Sequence, residues 1–263
     1  MADESEFRRY LSLTLALAAR EFPGSYRGNW TGALAAFAVP IAMLATYSLV
    51  FSRLIPVGVG ADRGQAGYVL FLFAGLIVWN LFADVAVRAP SMFRGAAHYV
   101  RRPRFPLSVI VLAPCLASFY RSLPWLGVYL LAHVVLGQSL DWVLLVSILV
   151  LLSTMLWTIG IALVLAVVGL LIRDASELAA PAVTLLFFLS PVLYPAARLA
   201  ELDPRLVDFN PMANAIWLMR EVVIERSLPD VAHVVPFAVA TTACLALGML
   251  AFRGVRRSLP DLV

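Results

Sequence analysis

Residues 99–114 read YVRRPRFPLSVIVLAP and place three closely spaced arginines directly before a long apolar run. Pro103 and Pro106 restrict the backbone around these arginines, which are Arg101, Arg102 and Arg104. A transmembrane helix needs about 20 mainly apolar residues, and the run that starts at residue 106 is longer than that. The stretch is therefore predicted to be a basic surface loop that leads straight into a membrane span.

The composition extends this interpretation to the whole chain. Of its 263 residues, 62% are hydrophobic and 14% are charged, whereas soluble domains are about 25% charged. The predicted fold class is an all-α polytopic membrane protein with six transmembrane helices in one domain over residues 31–263. The six stretches that are long and apolar enough to span are 31–53, 67–89, 106–136, 139–172, 177–194 and 231–252.

The distribution of arginine predicts the orientation, because cytoplasmic loops carry an excess of basic residues. Six spans put both termini on one side, and that side receives Arg8, Arg9, Arg20, Arg27, Arg94, Arg101, Arg102, Arg104, Arg173, Arg253, Arg256 and Arg257. The opposite side receives Arg53, Arg63, Arg198, Arg205, Arg220 and Arg226. Both termini are therefore expected in the cytoplasm. The alternative treats FRRYLSLTLALAA at 7–19 as a cleaved signal peptide, which would put the basic loop outside, against the charge bias.

Two further segments are predicted at the membrane surface. Residues 1–30 are interpreted as an N-terminal cytoplasmic segment with an amphipathic interfacial helix, because the apolar run within 5–22 is too short to span. Residues 195–230 lie on the opposite side, before the last span. They include FNPMANAIWLMREVVIER at 209–226, where Asn210 suits an N-cap and Pro211 a first helical residue. This segment, with Tyr194 and Arg220, is predicted to be a re-entrant outer gate, and an ordinary interfacial helix is the alternative.

Several classes of protein are disfavoured by what the sequence lacks. The 20 basic residues are all arginine, so there is no lysine for a P-loop or a Schiff base. Cys115 and Cys244 stand alone in apolar runs, which disfavours a disulfide framework or a metal site. His98, His133 and His233 are isolated and no paired acids lie together, so a catalytic site is not expected. The residues alone therefore indicate a six-span membrane protein that is not its own ATPase, and neither an enzyme nor a nucleic-acid partner is expected.

Along most of its length the sequence resembles a known family, the membrane subunits of ABC exporters for lipid-linked O-antigen, capsule or teichoic-acid polysaccharides. The resemblance rests on six short motifs in the expected order: SYRGNW at 25–30, FAGLIVWNLF at 73–82, RRPRFPLSVI at 101–110, IRDAS at 172–176, LSPVLYP at 189–195 and FNPMANAIWLMR at 209–220. One departure is that the family loop commonly carries lysines where this chain has Arg101 and Arg102.

The resemblance implies an assembly and a cargo. It implies a homodimer in the bacterial inner membrane, with two copies of a separate ATPase that would bind ATP and Mg docked underneath. The cargo would be a lipid-linked polysaccharide that crosses the membrane through a channel at the homodimer. An ABC permease that exports a drug or a lipid is the alternative.

Two cytoplasmic segments are predicted to transmit force from such an ATPase. The first is the loop 91–106, where Arg101, Arg102, Arg104 and Phe105 are held by prolines and are available to dock on a partner. The second is IRDAS, where Arg173 ends the fourth span and Asp174 is placed to cap the fifth. Simple positive-inside anchoring is the alternative for both segments.

The substrate path is predicted from aromatic and charged residues within the spans. Sugars present C–H faces that stack on aromatic rings, so the candidates are Trp79, Phe82, Phe119, Tyr120 and Trp125, with Trp157 as a further possibility. Arg121 lies mid-span and is predicted either to meet an anionic group of the cargo or to form a structural ion pair. Asp84 and Arg88, one helical turn apart, are expected to pair. Tyr26 and Arg27 are placed where a lipid-linked pyrophosphate would arrive, with interfacial anchoring as the alternative.

Overall fold

The computed structural model describes residues 2–21, 30–53, 64–100, 105–137, 139–256 and 259, and these are helices and short connections without a β-strand. The described helices are α1 (Ala2–Glu21), α2 (Trp30–Arg53), α3 (Gly64–Arg88), α4 (Met92–Gly95), α5 (Ala97–Val100), α6 (Val109–Val135), α7 (Val146–Leu171), α8 (Ala175–Leu189), α9 (Ala196–Ala200), α10 (Arg205–Asp208), α11 (Pro211–Arg220) and α12 (Val231–Val255). Short 3-10 turns precede α4 (Ala89–Ser91) and α7 (Trp142–Leu145), and a π-helical turn, Glu221–Glu225, follows α11. The predicted all-α class is confirmed.

Four helical segments of the described residues are long and apolar enough to cross a membrane. They are Ala66–Gly95, Val109–Val135, Trp142–Leu171 and Val231–Val255. The two remaining predicted spans contain shorter apolar helical stretches, Ala36–Val50 and Ala175–Leu189. The six-span count therefore stays a prediction.

Helix α3 forms the centre of the bundle, with its sides covered by α2, α6, α7, α8 and α11. Phe73, Ile77 and Leu81 of α3 are almost completely buried in the main apolar cluster. A helix that is apolar on every side is stable only where neighbouring helices or lipid surround it. Side chains that project from α3 therefore meet those of most other helices, and the candidate sites below are organised around it.

The closest helix pair is α7 with α12, and glycine makes the close approach possible. A Cβ atom on Gly160 would lie 2.5 Å from the carbonyl carbon of Cys244, and one on Gly248 would lie 2.5 Å from the carbonyl oxygen of Gly160. Small residues let transmembrane helices pack backbone against backbone. The two helices are therefore joined along their middle, although most of α12 faces away from the bundle.

The N-terminal helix α1 packs against α6. Ala18 is buried against Val109, Ala113 and Ala117, while Tyr10 on another side of α1 is exposed. The predicted helix is present, and its position in a membrane interface stays a prediction. Helix α11 is buried by α3 and α12 over most of its surface. The re-entrant gate and its alternative, an interfacial helix, both stay predictions.

Candidate functional site

The helical backbone ends after α8, and side chains donate hydrogen bonds to carbonyls that backbone N–H groups would bind in a continuing helix. The Tyr194 hydroxyl donates to the carbonyl of Phe188 over 2.5 Å. The Asn210 amide nitrogen donates to the carbonyl of Leu189 and the hydroxyl of Ser190, each over 3.2 Å. Non-helical backbone is tolerated at membrane depth only where its polar groups are satisfied internally.

The remaining carbonyls of this turn are bound from α3 and α11. Arg220 donates to Pro191 over 2.8 Å and to Val192 over 2.7 Å. The Tyr68 hydroxyl donates to Leu193 over 2.8 Å. We call Tyr68, Tyr194, Asn210 and Arg220, together with the turn 188–193 that they hold, the carbonyl cradle. It joins the end of α8 to α3 and α11 in one polar unit.

Arg220 is the most deeply buried member of the cradle. Its side chain is 8% exposed, it also donates to the carbonyl of Phe71 over 3.3 Å, and its guanidinium lies 3.5 Å above the Phe71 ring. A Cβ atom on Gly75 would come within 3.0 Å of the guanidinium, so glycine provides its space. Burial lowers the pKa of Arg220 to about 9, which leaves this residue of α11 charged at neutral pH. Carbonyl dipoles and an aromatic face thus stabilise the cation.

Helix α11 begins as the sequence predicted. Asn210 is the N-cap, and its Oδ1 accepts from the backbone N–H of Met212 over 3.0 Å, with Pro211 as the first helical residue. Further along α11, Asn214 Oδ1 lies 3.2 Å from His233 Nδ1 of α12. The contact is within hydrogen-bonding distance and joins α11 to α12. These bonds cap the start of α11 and attach its first half to α12.

The cradle brings together three of the predicted gate residues, Tyr194, Asn210 and Arg220. Sequence reasoning missed Tyr68 and Gly75, which belong to α3 and lie more than 100 positions away from the turn that they support. A tyrosine near the start of a span normally indicates an interfacial anchor, so no local signal distinguished Tyr68. The role of Tyr194, Asn210 and Arg220 in a gate stays a prediction.

A second polar unit, which we call the charge ladder, consists of Glu21, Arg88, Asp84 and Arg121. Arg88 contacts Asp84 over 3.1 Å, which confirms the predicted pair, and contacts Glu21 of α1 over 3.2 Å. Arg121 of α6 binds the same Asp84 oxygen. Of the two accounts of Arg121, the structure contains the ion pair, and a contact with cargo stays a prediction. The ladder links α1, α3 and α6, and its side chains are 32–39% exposed.

An aromatic pocket of about 470 Å³ opens between α2, α3 and α8. Its walls include the rings of Tyr47, Trp79, Trp125 and Phe187. Trp79 meets Phe187 edge to face, with centroids 5.2 Å apart. Polar groups are few, with Asn80 of α3 among them. An aromatic wall with occasional hydrogen-bonding groups suits the mixed apolar and hydroxyl surface of a sugar.

The predicted path residues separate into two groups. Trp79 and Trp125 line the pocket. Phe82 and Phe119 are 4% and 8% exposed and pack in the main apolar cluster, and Tyr120 lies beside Phe119 with centroids 6.0 Å apart. In this conformation Phe82 and Phe119 act as packing residues, which is the usual role of aromatic side chains inside a bundle.

The predicted coupling residues that the structure describes are Phe105, Arg173 and Asp174. Phe105 stacks on Tyr99, with centroids 5.0 Å apart, and Arg173 and Asp174 are exposed between α7 and α8. Asp174 occupies the N-cap position of α8, but the prediction that its side chain caps the helix is wrong. Its backbone has φ −82° and ψ −4°, whereas an N-cap side chain reaches the first turn from an extended backbone. Five other candidates lie outside the described residues: Tyr26, Arg27, Arg101, Arg102 and Arg104.

Comparison with known proteins gives consistent matches over most of the chain. The model of a protein family described as ABC-2 type transporter matches residues 12–224. The chain is 26% identical over 245 residues to the O-antigen export system permease protein RfbA of Myxococcus xanthus, which covers 91% of each chain. It is 24% identical over 219 residues to a protein of the same name from Klebsiella pneumoniae, which covers 82% of each chain. These matches extend across the carbonyl cradle, the aromatic pocket and the charge ladder.

Proposed function

This chain belongs to the ABC-2 type transporter membrane family, and we propose that it is the membrane subunit of an ATP-driven exporter of O-antigen-like, lipid-linked polysaccharide. The observation that carries the proposal is the similarity, over 91% of the chain, to a protein named as an O-antigen export permease. The family makes the chain a transport subunit that works in a membrane with an ABC ATPase. ATP and Mg would then bind to that separate ATPase chain.

The proposed assembly contains two copies of this chain and two of the ATPase, with the channel at the junction of the two copies. Apolar side chains beside the aromatic pocket support this arrangement. Phe37 and Ile41 of α2 are 42% and 49% exposed, and Leu185 and Phe188 of α8 are 66% and 60% exposed. A second copy that packs near these faces would enclose the pocket and turn an open groove into a passage.

The proposed topology has six crossings with both termini in the cytoplasm. Helix α8 has 15 residues and therefore rises about 22 Å, less than the roughly 30 Å hydrocarbon core. The unwound turn of the carbonyl cradle would complete this crossing, because its carbonyls are already satisfied by protein side chains. Helix α2 would supply the other crossing.

Within this assembly the aromatic pocket would contact sugar units. Trp79 and Trp125 would stack on sugar faces, and Asn80 would bind hydroxyls. Arg121 would act near the path through its pair with Asp84. The pyrophosphate of the lipid carrier would arrive near Tyr26 and Arg27, and the segment 195–230 would form the outer gate.

The proposal is tested by reconstituting the chain with its candidate ATPase in liposomes. We expect co-purification of the two proteins, and ATP turnover that rises when lipid-linked polysaccharide is added. Free undecaprenyl-type lipid without sugar is the matched control and should leave turnover near its basal rate. A chain that never binds an ABC ATPase would contradict the proposal.

The same experiment separates the alternative cargoes. Turnover that rises with a drug or an ordinary phospholipid, and not with the polysaccharide, would assign the chain to export of that cargo.

The orientation of the chain is tested on a cysteine-free variant that carries one new cysteine at residue 256 or at residue 198. A membrane-impermeant thiol reagent applied to intact cells should label residue 198 and leave residue 256 unlabelled.

A further inference from the structure

The two segments predicted to receive force from the ATPase touch each other, although they are far apart in the sequence. The 3-10 turn Ala89–Ser91 lies directly against the end of α7. A Cβ atom on Gly169 would be 1.9 Å from the carbonyl oxygen of Pro90 and 2.5 Å from its carbonyl carbon. Both of these atoms belong to the backbone, so no side-chain movement could make room for a larger residue. Gly169 therefore allows two backbones to meet without a side chain between them.

Arg94 of α4 strengthens this contact. Its guanidinium donates to the carbonyl of Leu170 over 3.2 Å and to the carbonyl of Arg173 over 3.3 Å. The last carbonyls of a helix have no partner within the helix, and a cation near them also interacts favourably with the helix dipole. Arg94 thus attaches the first loop to the end of α7 and to the turn that contains Arg173.

Apolar packing backs the polar contact. Phe93, next to Arg94, is completely buried and stacks on Phe252 of α12, with ring centroids 5.9 Å apart. Leu170 is buried in the same cluster. Movement of α4 relative to α7 would therefore break hydrogen bonds and also expose apolar surface.

We infer that Pro90, Arg94, Gly169 and Leu170, with the carbonyl of Arg173, form a rigid joint. This joint makes the described start of the first predicted coupling segment, residues 91–100, and the turn at Arg173 move as one body with α7. This inference rests on the proposed function. Arg94 is a positioning residue in this joint, since it holds the segments that meet the ATPase and needs no contact with the ATPase itself. Because α7 is packed backbone to backbone on α12 at Gly160 and Gly248, a push on either segment would reach both helices.

The test uses the full chain in complex with its ATPase in liposomes, and it measures polysaccharide export per ATP hydrolysed. Arg94→Gln and Gly169→Ala are expected to keep ATPase binding and basal ATP hydrolysis while this ratio falls about tenfold, equivalent to about 1.4 kcal/mol. Arg94→Lys keeps the charge but reaches fewer carbonyls, so an intermediate ratio is expected. Gly254→Ala is the matched control for Gly169→Ala, because Gly254 has open space around it.

The outcomes distinguish this joint from a simple docking surface. Loss of ATPase binding in Arg94→Gln would make Arg94 a contact residue and overturn the inference. An unchanged export ratio in Arg94→Gln would also overturn the inference. This result would be decisive even if the Gly169→Ala variant does not fold and accumulate. Failure of the unmodified chain to bind any ABC ATPase would instead refute the proposed function.

Discussion

The carbonyl cradle and the charge ladder both place arginines inside a helical bundle, but they satisfy the cations in different ways. Arg220 is almost fully buried and binds backbone carbonyls and an aromatic face. Arg121 is about one third exposed and binds a carboxylate, Asp84, which Arg88 also contacts. Removal of a deeply buried cation is costly, because it leaves several buried carbonyls without a hydrogen-bond donor. Removal of Arg121 leaves one carboxylate, and Arg88 still contacts that carboxylate.

The largest effect is expected when the buried cation is removed. Arg220→Gln deletes the bonds to Pro191, Val192 and Phe71, and should destabilise the fold by about 3 kcal/mol or more. The measurement is the midpoint of thermal unfolding in detergent. Arg198→Gln, an exposed arginine in α9, is the control and should leave the midpoint almost unchanged. Equal midpoints for the two variants would show that the cradle contributes little.

A smaller effect is expected from crowding the same cation without removing it. Gly75→Ala would put a methyl group 3.0 Å from the Arg220 guanidinium and 3.3 Å from the carbonyl of Val192. We expect a loss of about 1–2 kcal/mol, since the cradle must shift to fit the added carbon. Gly127→Ala is the control, because its new methyl would meet Phe37 at an ordinary 3.5 Å. A higher midpoint for Gly75→Ala than for this control would contradict the expectation.

In the charge ladder, Arg121→Gln is expected to lower stability by about 1 kcal/mol, because it removes one ion pair while Asp84 keeps its contact with Arg88. Assembly should stay intact while export slows. Asp84→Asn combined with Arg121→Gln should cost less than the sum of the single changes, since the two side chains are in contact. Export that recovers in the double variant would assign the slow rate to an unpaired Asp84. Export that stays slow would keep Arg121 on the substrate path.

The smallest effect is expected at the exposed end of the ladder. Glu21→Gln removes the contact with Arg88, whose side chain is 39% exposed, and should change stability by less than about 0.5 kcal/mol. The change should shrink further at high salt, which screens exposed charges. A large loss that is independent of salt would show that this contact fixes α1 to α3 far more strongly than its exposure indicates.

The features that the sequence predicted are those set by neighbouring residues. The length of an apolar run located the helices, so α2 and α12 begin within one residue of the predicted 31–53 and 231–252. Asn210 and Pro211 predicted the start of α11 because an N-cap is a local pattern. Asp84 and Arg88 predicted their own pair because i and i+4 residues share one face of a helix.

The features that the sequence did not predict depend on tertiary contacts. The apolar run 177–194 gave no sign that α8 ends at Leu189, because the turn after it keeps its carbonyls satisfied through Tyr68 and Arg220. The pair of Arg121 with Asp84 requires α6 to lie against α3. Gly169 and Pro90 meet only after the chain has folded back on itself. Single-residue patterns carry no information about such distant partners.

The carbonyl cradle has a consequence for engineering and for evolution within the family. The turn after α8 is held by α3 and α11, so a chimaera that exchanges α11 alone between relatives would inherit mismatched hydrogen-bonding groups. The start of α3, the turn 188–193 after α8, and α11 form one structural unit, although they are three separate segments of the sequence. Recombination that respects this unit would transfer the carbonyl cradle between relatives with its hydrogen-bonding partners intact.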